Sequence, residues 1–340
     1  MLVFTPNLCF DVTIDLPELV PGSVSRATAT VTSAGGKGVN VVRAAGALTA
    51  AEQVRLAGFL ADGDGARLAS FLSDEGTAFH PVHVDGAVRV ASILLEQSGR
   101  VTVINGRGPD ISADRWAAMV ELIDDIVGPG ELIVCSGSLP PGVPADGYAQ
   151  IVALGHRKGS QVVVDAAPEP LAACLSEQPD LVSPNLSEAE AMLFGRTSEL
   201  VHEEGADVPD RAVVAARALH VAGARRAVVT AGAAGAALCT ADGTWWLVAA
   251  PVTVLNPIGA GDAFVGGASV ALTEGATDLE VVRAGIASGS ASCEQKVAGR
   301  VDPHRAAELR AAGTSIAIGP DATTTTTATS RAHSDAGATR

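Results

Sequence analysis

The nine residues NPIGAGDAF, at positions 256–264, place an aspartate directly after a Gly-Ala-Gly turn and before an apolar run. If a helix begins at this turn, its first backbone N–H groups have no helical acceptor, and the helix dipole favours negative charge beside them. Gly259, Ala260 and Gly261 would then form an anion hole with Asp262 at its edge. A carboxylate there is well placed to accept the proton of a hydroxyl that attacks phosphorus. An ordinary interaction of Asp262 with the helix dipole is the alternative, but the flanking glycines and the apolar continuation favour a catalytic role.

A second glycine cluster, SAGGKGVNVVRAAGAL, occupies residues 33–48. It is not a Walker loop, because Lys37 is followed by Gly38 rather than by Ser or Thr. It also lacks the glycine spacing of a dinucleotide fingerprint after the first strand, which speaks against a nicotinamide dehydrogenase. Lys37 supplies a cation where glycines allow a ligand to approach closely, although a surface lysine in a turn is the ordinary interpretation of this cluster alone.

Short apolar runs alternate with amphipathic stretches along the chain. The runs that predict buried strands are ELIVCSG (131–137), QVVVDA (161–166), DLVSPN (180–185) and RAVVTAG (226–232). Helical spacing of apolar residues predicts helices over 112–127, 145–158 and 209–222, the first of them capped by Ser112. This alternation indicates parallel strands with crossover helices on both faces, a sheet that binds ligands beyond the carboxyl ends of its strands.

Two segments depart from this alternation. Residues 12–33 and 88–105 alternate apolar and polar side chains with a period of two and carry Gly or Pro turn signals. They predict antiparallel strands outside the main sheet, which together form a small lid. The Thr-rich tail from Thr314 to the C-terminus is predicted to be disordered because it holds too few apolar residues to bury a core.

Composition excludes several classes of protein. The formal net charge is −15 and no basic run is present, so neither a nucleic acid nor an anionic membrane surface is expected as a partner. No apolar stretch reaches the length of about 18 residues that a membrane helix needs, and no basic leader precedes the first apolar run. The five scattered cysteines form no CxxC pair, which argues against a disulfide framework or a zinc site. We therefore predict a cytoplasmic protein.

The motifs AGGKGVNVVRA (34–44) and NPIGAGDAFVGG (256–267) resemble the two signature regions of the ribokinase-like, phosphofructokinase B group of carbohydrate kinases. Five further motifs resemble the same family in the same order: TPNLCFD (5–11), CSGSLPPGV (135–143), VVVDAAPEPL (162–171), SPNLSEAE (183–190) and VVTAGAAGAAL (228–238). The motif CSGSLPPGV is the narrower signal, because it resembles the family branch that acts on phosphorylated ketohexoses. The resemblance implies a three-layer α/β/α fold with a mostly parallel central sheet and a small β-strand lid. It implies one kinase domain over residues 1–313, followed by the tail 314–340.

The resemblance also assigns roles at a substrate pocket. The residues that it places there are Asp11, Gly36, Lys37, Asn40, Arg89 and Ser138. Among these, Asp11 matches the aspartate that holds sugar hydroxyls, and Arg89 matches an arginine that faces the phosphate already on the substrate. A lid-surface charge is an equally good interpretation of Arg89. Asp262 matches the catalytic base of the family, and Gly259, Ala260 and Gly261 match its anion hole.

For the nucleotide and its metal, the resemblance implies ATP and Mg²⁺. Asn185 and Glu188 match a motif that organises magnesium through water, a grip that suits a cation which keeps much of its hydration shell. Thr230, Gly232 and Gly235 match the turn that cradles the nucleotide phosphates. The alternatives are that Asn185 and Glu188 only cap a helix and that Gly232 belongs to an ordinary turn.

The resemblance therefore implies an ATP-dependent, magnesium-requiring kinase that acts on a ketohexose phosphate. The family pattern is intact at the base and at the anion hole. Fructose 1-phosphate, giving fructose 1,6-bisphosphate, is the first choice of substrate. Fructose 6-phosphate or tagatose 6-phosphate, phosphorylated at carbon 1, is the alternative. The lid departs from the family pattern, with Ala91 and Ile93 in place of Asn-x-Lys. Arg107 is a candidate for a compensating cation. Because the lid is altered, a sugar-phosphate-binding regulator without catalysis is the alternative of another class. A homodimer through the lid is also implied.

Overall fold

The computed structural model describes residues 1–195 and 205–318. Its helices are α1 Lys37–Leu48, α2 Gly65–Asp74, α3 Ala113–Ile126, α4 Gly147–Arg157, α5 Pro168–Cys174, α6 Leu186–Phe194, α7 Val208–Val221, α8 Ala260–Thr273, α9 Asp278–Cys293 and α10 Pro303–Ala312. Its strands are β1 Leu2–Phe4, β2 Cys9–Leu16, β3 Ala29–Gly35, β4 Arg55–Ala61, β5 Ala78–Val84, β6 Arg89–Glu96, β7 Val101–Asn105, β8 Ile133–Ser136, β9 Val162–Asp165, β10 Leu181–Val182, β11 Ala227–Thr230, β12 Ala236–Thr240, β13 Gly243–Val248 and β14 Thr314–Ile318.

The main sheet runs in the order β14-β13-β12-β11-β10-β9-β8-β1-β4-β5 within the described residues. Its strands are parallel from β11 to β5, and β12, β13 and β14 extend it by antiparallel pairing. The four apolar runs that predicted strands form β8, β9, β10 and β11, and they are buried because helices cover the sheet. The predicted α/β fold is confirmed.

The predicted helices form close to the expected bounds. Helix α3 begins after Ser112, whose hydroxyl accepts a hydrogen bond from the backbone N–H of Arg115. Helix α8 is buried over most of its length, as the apolar run after Asp262 predicted, because it packs between α1 and α9. Gly266 makes this packing possible, since a Cβ atom there would lie 2.8 Å from the Cβ of Ala44 on α1.

A second sheet contains β3, β2, β6 and β7 in that order, and its strands come from the two segments that the sequence predicted as a lid. The predicted antiparallel pairing holds for two of its three strand pairs. Strands β2 and β3 are antiparallel, as are β6 and β7, but β2 and β6 are parallel. Parallel pairing needs a long connection between the two strands, and the chain between β2 and β6 supplies one, since it contains β3, α1, β4, α2 and β5.

The C-terminal region also differs from its prediction. Residues Thr314–Ile318, placed in the disordered tail, form β14 and pair with β13 along its whole length. The segment TSIAI holds two isoleucines and an alanine, and Ile318 is buried, so this part of the predicted tail has enough apolar residues to pack at the edge of the sheet. The rest of the predicted tail, residues 319–340, lies outside the described residues.

Free thiols account for all five cysteines, and four of them are buried. Within residues 1–195 and 205–318, no helix is both long and apolar enough to cross a membrane.

A buried carboxylate ties the sheet together at the edge opposite the carboxyl ends of its strands. Asp180, just before β10, is 3% exposed. Its side chain accepts hydrogen bonds from the backbone N–H of Val162 at 2.8 Å and from Arg225 at 2.9 Å, and it lies 3.1 Å from the imidazole of His156. Three elements are therefore joined through one side chain.

Replacing Asp180 by alanine should lower the free energy of unfolding by about 2–3 kcal/mol, because the Val162 amide is left buried without an acceptor. Equilibrium unfolding in urea measures this difference. Arg225→Ala is the matched control. Its side chain is 53% exposed, so the loss should stay below about 1 kcal/mol. Equal losses for the two variants would show that the buried backbone contact contributes nothing.

Candidate active site

The turn before α8 leaves backbone amides free at one point. Gly259 precedes the helix with a φ of 81°, a left-handed conformation that favours glycine. Across the described part of the chain, the amides of Gly261 and Asp262 donate no hydrogen bond, and the amide of Ala260 donates only a long one of 3.4 Å to the Pro257 carbonyl. The space beside Gly261 is open, since no heavy atom lies within 4 Å of where its Cβ would be. An anion could therefore approach these amides.

Asp262, in the first turn of α8, is 7% exposed. Its Oδ2 atom accepts a hydrogen bond from the side-chain nitrogen of Asn40 at 2.8 Å. Burial raises the pKa of Asp262 to about 7, with the charges of Asp165 and Asp11 acting in the same direction, while Lys37 and the Asn40 hydrogen bond lower it. The carboxyl group is therefore poised to exchange a proton near neutral pH.

Lys37, at the start of α1, lies between two carboxylates. Its Nζ atom is 3.1 Å from Oε1 of Glu188 and 3.4 Å from Oδ1 of Asp165. Burial lowers the pKa of Lys37, but the charges of Asp165, Glu188 and Asp262 outweigh this effect and hold that pKa well above its usual value. The lysine is thus a permanent cation, and its side chain remains 35% exposed.

Asp165 was not assigned a role from the sequence. It is the last residue of β9 and is 3% exposed. Burial raises its pKa to about 6, Lys37 lowers it, and Glu188 raises it. The signal that could have found it is its position, because the carboxyl end of a buried parallel strand is where such sheets bind ligands.

The residues that the sequence assigns to the nucleotide lie just after β10 and at the end of β11. Asn185 and Glu188 form a capping box at the start of α6: the Asn185 side chain accepts from the Glu188 amide, and Oε2 of Glu188 accepts from the Asn185 amide. Asn185 forms a parallel bridge with Thr230 at the end of β11. Gly232 and Gly235 form the turn after Thr230 with positive φ angles of 54° and 128°. The capping interpretation of Asn185 and Glu188 is therefore correct structurally, and their nucleotide and metal roles stay predictions.

The carboxylate oxygens of Asp165 and Glu188 suit a metal ion that keeps most of its bound water. The described residues contain no group of three or more His, Cys, Asp or Glu side chains suited to holding a metal ion. Glu188 already accepts from Lys37 and from the Asn185 amide, whereas Oδ2 of Asp165 has no partner in the described part of the chain. This donor set fits Mg²⁺, which prefers oxygen ligands and retains several waters.

Residues that the sequence assigns to the sugar lie on the lid sheet, and the charge of one of them, Asp11, acts on Asp262. Asp11 on β2 is 9% exposed, and burial raises its pKa, while Arg43 and Arg89 lower it. Its carboxylate packs directly on Gly35, where a Cβ atom would lie 2.2 Å from its Cγ. Any larger residue at position 35 would therefore displace Asp11, a requirement that the sequence did not reveal. The thiol of Cys9 donates to Oδ1 of Asp11 at 3.2 Å.

Arg89 and Ser138 are joined through Asn7. The Nε and Nη2 atoms of Arg89 donate to the backbone carbonyl of Asn7 at 3.0 and 2.9 Å, and the Asn7 side chain donates to the Ser138 hydroxyl at 2.9 Å. The third nitrogen of Arg89 has no acceptor within the described residues. Arg107, by contrast, pairs with Asp110 on the exposed surface, so its predicted compensating role has no support in this geometry.

Asn40 lies deeper than its predicted place in the sugar pocket. It is 4% exposed; its amide nitrogen donates to Asp262, and its oxygen accepts from Arg43 at 2.9 Å. Gly36 begins α1 with a φ of 108° and turns the chain from β3 toward Lys37. Individual contacts thus connect Asn40 with Asp262, Lys37 with Glu188 and Arg89 with Ser138, and they involve four residues that the sequence did not single out: Arg43, Asp165, Asn7 and Gly35.

A mostly parallel sheet with a buried aspartate beside open amides at a helix start is the arrangement expected of a phosphotransferase with the ribokinase-like fold. The family model described as pfkB family carbohydrate kinase matches residues 5–305, and the chain belongs to this family. The predicted family membership is confirmed.

Individual relatives agree with the family. The chain is 32% identical over 328 residues to a 1-phosphofructokinase from Xanthomonas campestris pv. campestris, covering 94% of this chain and 98% of the relative. It is 32% identical over 292 residues to the ATP-dependent 6-phosphofructokinase isozyme 2 of Escherichia coli, covering 86% and 91%. The crystal structure of Escherichia coli phosphofructokinase-2 in complex with fructose-6-phosphate aligns with a TM-score of 0.80 at 28% identity, covering 92% and 98%.

Proposed function

We propose that this protein transfers the γ-phosphoryl group of ATP to a hydroxyl of a ketohexose phosphate, with fructose 1-phosphate as the first choice of acceptor. The observation that carries the proposal is the buried Asp262 carboxylate, held by Asn40 beside the open amides that begin α8. Named relatives include 1-phosphofructokinases and a 6-phosphofructokinase, which supports a phosphorylated ketohexose as the class of acceptor. Fructose 6-phosphate and tagatose 6-phosphate are the alternatives.

Asp262 acts as the general base in this proposal. Its carboxylate accepts the proton of the attacking hydroxyl, and the amides of Gly261 and Asp262, with the positive end of the α8 dipole, stabilise charge on the transferring phosphoryl group. The pKa of about 7 suits this task, because a base works best when its pKa lies near the working pH.

Lys37 and the nucleotide side supply the charge balance. Lys37 faces the phosphates from the start of α1, and Thr230, Gly232 and Gly235 form the turn that receives them. Asp165 and Glu188, with Asn185 through water, would hold Mg²⁺, which neutralises phosphate charge when bound. All of these residues lie at the carboxyl ends of neighbouring strands or at the helix starts that follow them.

Recognition of the sugar phosphate is assigned to the lid side of the cleft. Asp11 accepts hydrogen bonds from sugar hydroxyls, and the free nitrogen of Arg89 binds the phosphate already on the substrate, since a guanidinium suits phosphate oxygens. Ser138 is assigned to the same pocket, because its hydroxyl accepts a hydrogen bond from the Asn7 side chain and the Asn7 carbonyl accepts from Arg89. Exposed apolar side chains on the lid strands, Val31, Val90 and Ile104, support the homodimer through the lid as part of this proposal.

The experiment that tests the function is ADP release with fructose 1-phosphate, fructose 6-phosphate, tagatose 6-phosphate, free fructose and ribose. A phosphorylated ketohexose should give the highest kcat/KM. In Arg89→Met, KM for that substrate should rise about 10- to 100-fold, because a charge-assisted contact to phosphate is lost. KM for free fructose should not change.

Arg107→Met is the matched control, since that arginine is 73% exposed and, among the residues that the structure describes, pairs only with Asp110. Its KM should equal the wild-type value. Turnover of unphosphorylated sugars alone would refute the assigned class of acceptor. Binding of sugar phosphate without ADP release from any substrate would support the regulator and refute the kinase.

A further inference from the structure

The side-chain amide of Asn40 has to face Asp262 with its nitrogen. That nitrogen lies 2.8 Å from Oδ2 of Asp262, where it donates a hydrogen bond that favours the charged carboxylate. Rotation of the amide by half a turn would instead bring its oxygen against the carboxylate. Because the two orientations have nearly the same shape, packing alone selects weakly between them.

The backbone of Asn40 is fixed by its neighbours. Gly299 lies against it so closely that a Cβ atom on Gly299 would be 2.6 Å from the Asn40 Cα. The residue itself is 4% exposed and belongs to α1. Rotation of the terminal amide is therefore the main freedom left to this side chain.

Arg43, one turn along α1, removes that freedom. Its Nη1 atom donates to Oδ1 of Asn40 at 2.9 Å. A guanidinium has only donors, so the amide must present its oxygen to Arg43 and hence its nitrogen to Asp262. This selection needs no contact between Arg43 and a substrate.

Arg43 is itself held on two sides. Its Nε and Nη2 atoms each lie 2.7 Å from a carboxylate oxygen of Glu75, and Nη2 also donates to the Ala34 carbonyl at 2.7 Å. The Arg43 side chain is 7% exposed. A bidentate pair of this kind fixes the plane of the guanidinium as well as its position.

We propose that Arg43, anchored by Glu75, is a positioning residue that sets the orientation of the Asn40 amide and thereby the state of the Asp262 carboxylate. This inference rests on the proposed function of Asp262 as the base. The other charged groups that act on Asp262 are Lys37, Asp165 and Asp11, and none of them constrains the amide of Asn40 through a hydrogen bond.

Arg43→Met should lower kcat at pH 7 by about 10- to 100-fold, because a mispositioned amide leaves the carboxylate without its donor. KM for ATP should stay near the wild-type value. The acid limb of the kcat profile should move to higher pH, so the loss should be smaller near pH 9. Arg55→Met is the matched control, because Arg55 is also paired with one carboxylate: its Nη2 atom contacts both oxygens of Glu131, away from Asn40 and Asp262. Its profile should not move.

The decisive comparison is a double-mutant cycle with Asn40→Ala. If Arg43 acts through Asn40, Arg43→Met should cause no further loss of kcat on the Asn40→Ala background. Multiplicative losses, or an unshifted pH profile, would overturn the proposal. Glu75→Gln covers the case in which Arg43→Met folds poorly. It keeps the arginine but weakens its ion pair, so it should give a smaller loss of kcat. That loss should also vanish on the Asn40→Ala background.

Failure of the proposed function would be visible separately. Asp262→Asn with wild-type turnover would show that Asp262 is not the base, whatever the result of the Arg43 and Asn40 cycle. Wild-type kcat in Arg43→Met together with an inactive Asp262→Asn would overturn the positioning role alone.

Discussion

Replacement of Asp262 by asparagine should lower kcat by about 10³- to 10⁴-fold while ATP still binds, because asparagine keeps the shape of the side chain but cannot accept the hydroxyl proton. In the wild type, kcat should fall as the pH drops below about 7, since burial raises the pKa of Asp262 to about 7 and only the deprotonated form is a base. The variant should lose this acid limb. Steady-state ADP release across pH, with ATP affinity by calorimetry, measures both effects.

Asp278→Asn is the matched control for Asp262. Asp278 also lies in the first turn of a helix, α9, but it pairs with Arg226 at 2.6 Å outside the cleft. Its kcat and pH profile should match the wild type. An Asp262→Asn protein that turns over within about tenfold of the wild type would leave no role for a general base at this position.

Replacement of Lys37 by methionine should lower kcat by about 10²- to 10³-fold and weaken ATP binding. The physical reason is charge balance: Asp165, at 3.4 Å, and Glu188, at 3.1 Å, would lose the cation between them. Lys37 also lowers the pKa of both Asp165 and Asp262, so both carboxyl groups would hold their protons to higher pH. The phosphates of ATP would meet the same uncompensated carboxylates. Turnover and ATP affinity at several pH values measure the change.

Lys158→Met serves as the control. Lys158 directly follows α4 and pairs with Asp124 of α3, away from Asp165 and Glu188. Lys37→Arg should recover only part of the activity, since a planar guanidinium cannot occupy the place of a compact ammonium between two carboxylates. Unchanged ATP affinity and kcat in Lys37→Met would contradict the assigned electrostatic role.

Much of the fold could be predicted because its signals are local. The strands β8, β9, β10 and β11 are short apolar runs that end in small or polar residues, and α3 has a capping serine and helical spacing. The pairing of β2 with β6 could not be predicted, because parallel pairing between distant segments depends on where the chain between them folds. Strand β14 was missed for a related reason, since its partner, β13, supplies hydrogen bonds that are not visible in the composition of the segment.

The site shows the same division. Gly259, Asp262 and Lys37 lie in glycine motifs whose chemistry can be interpreted residue by residue. Asp165 and Arg43 were not assigned a role from their motifs, and their importance follows from side-chain contacts: Asp165 with Lys37, and Arg43 with Asn40 and Glu75.

The sequence by itself determined the class of chemistry, because a carboxylate after a Gly-Ala-Gly turn at a helix start combines a base and an anion hole within a few residues. The tertiary structure alone decided which charges balance that base. Asn40, Lys37 and Asp165 reach Asp262 from elements far apart in the chain, and a pKa depends on distance and burial in space rather than on spacing along the sequence.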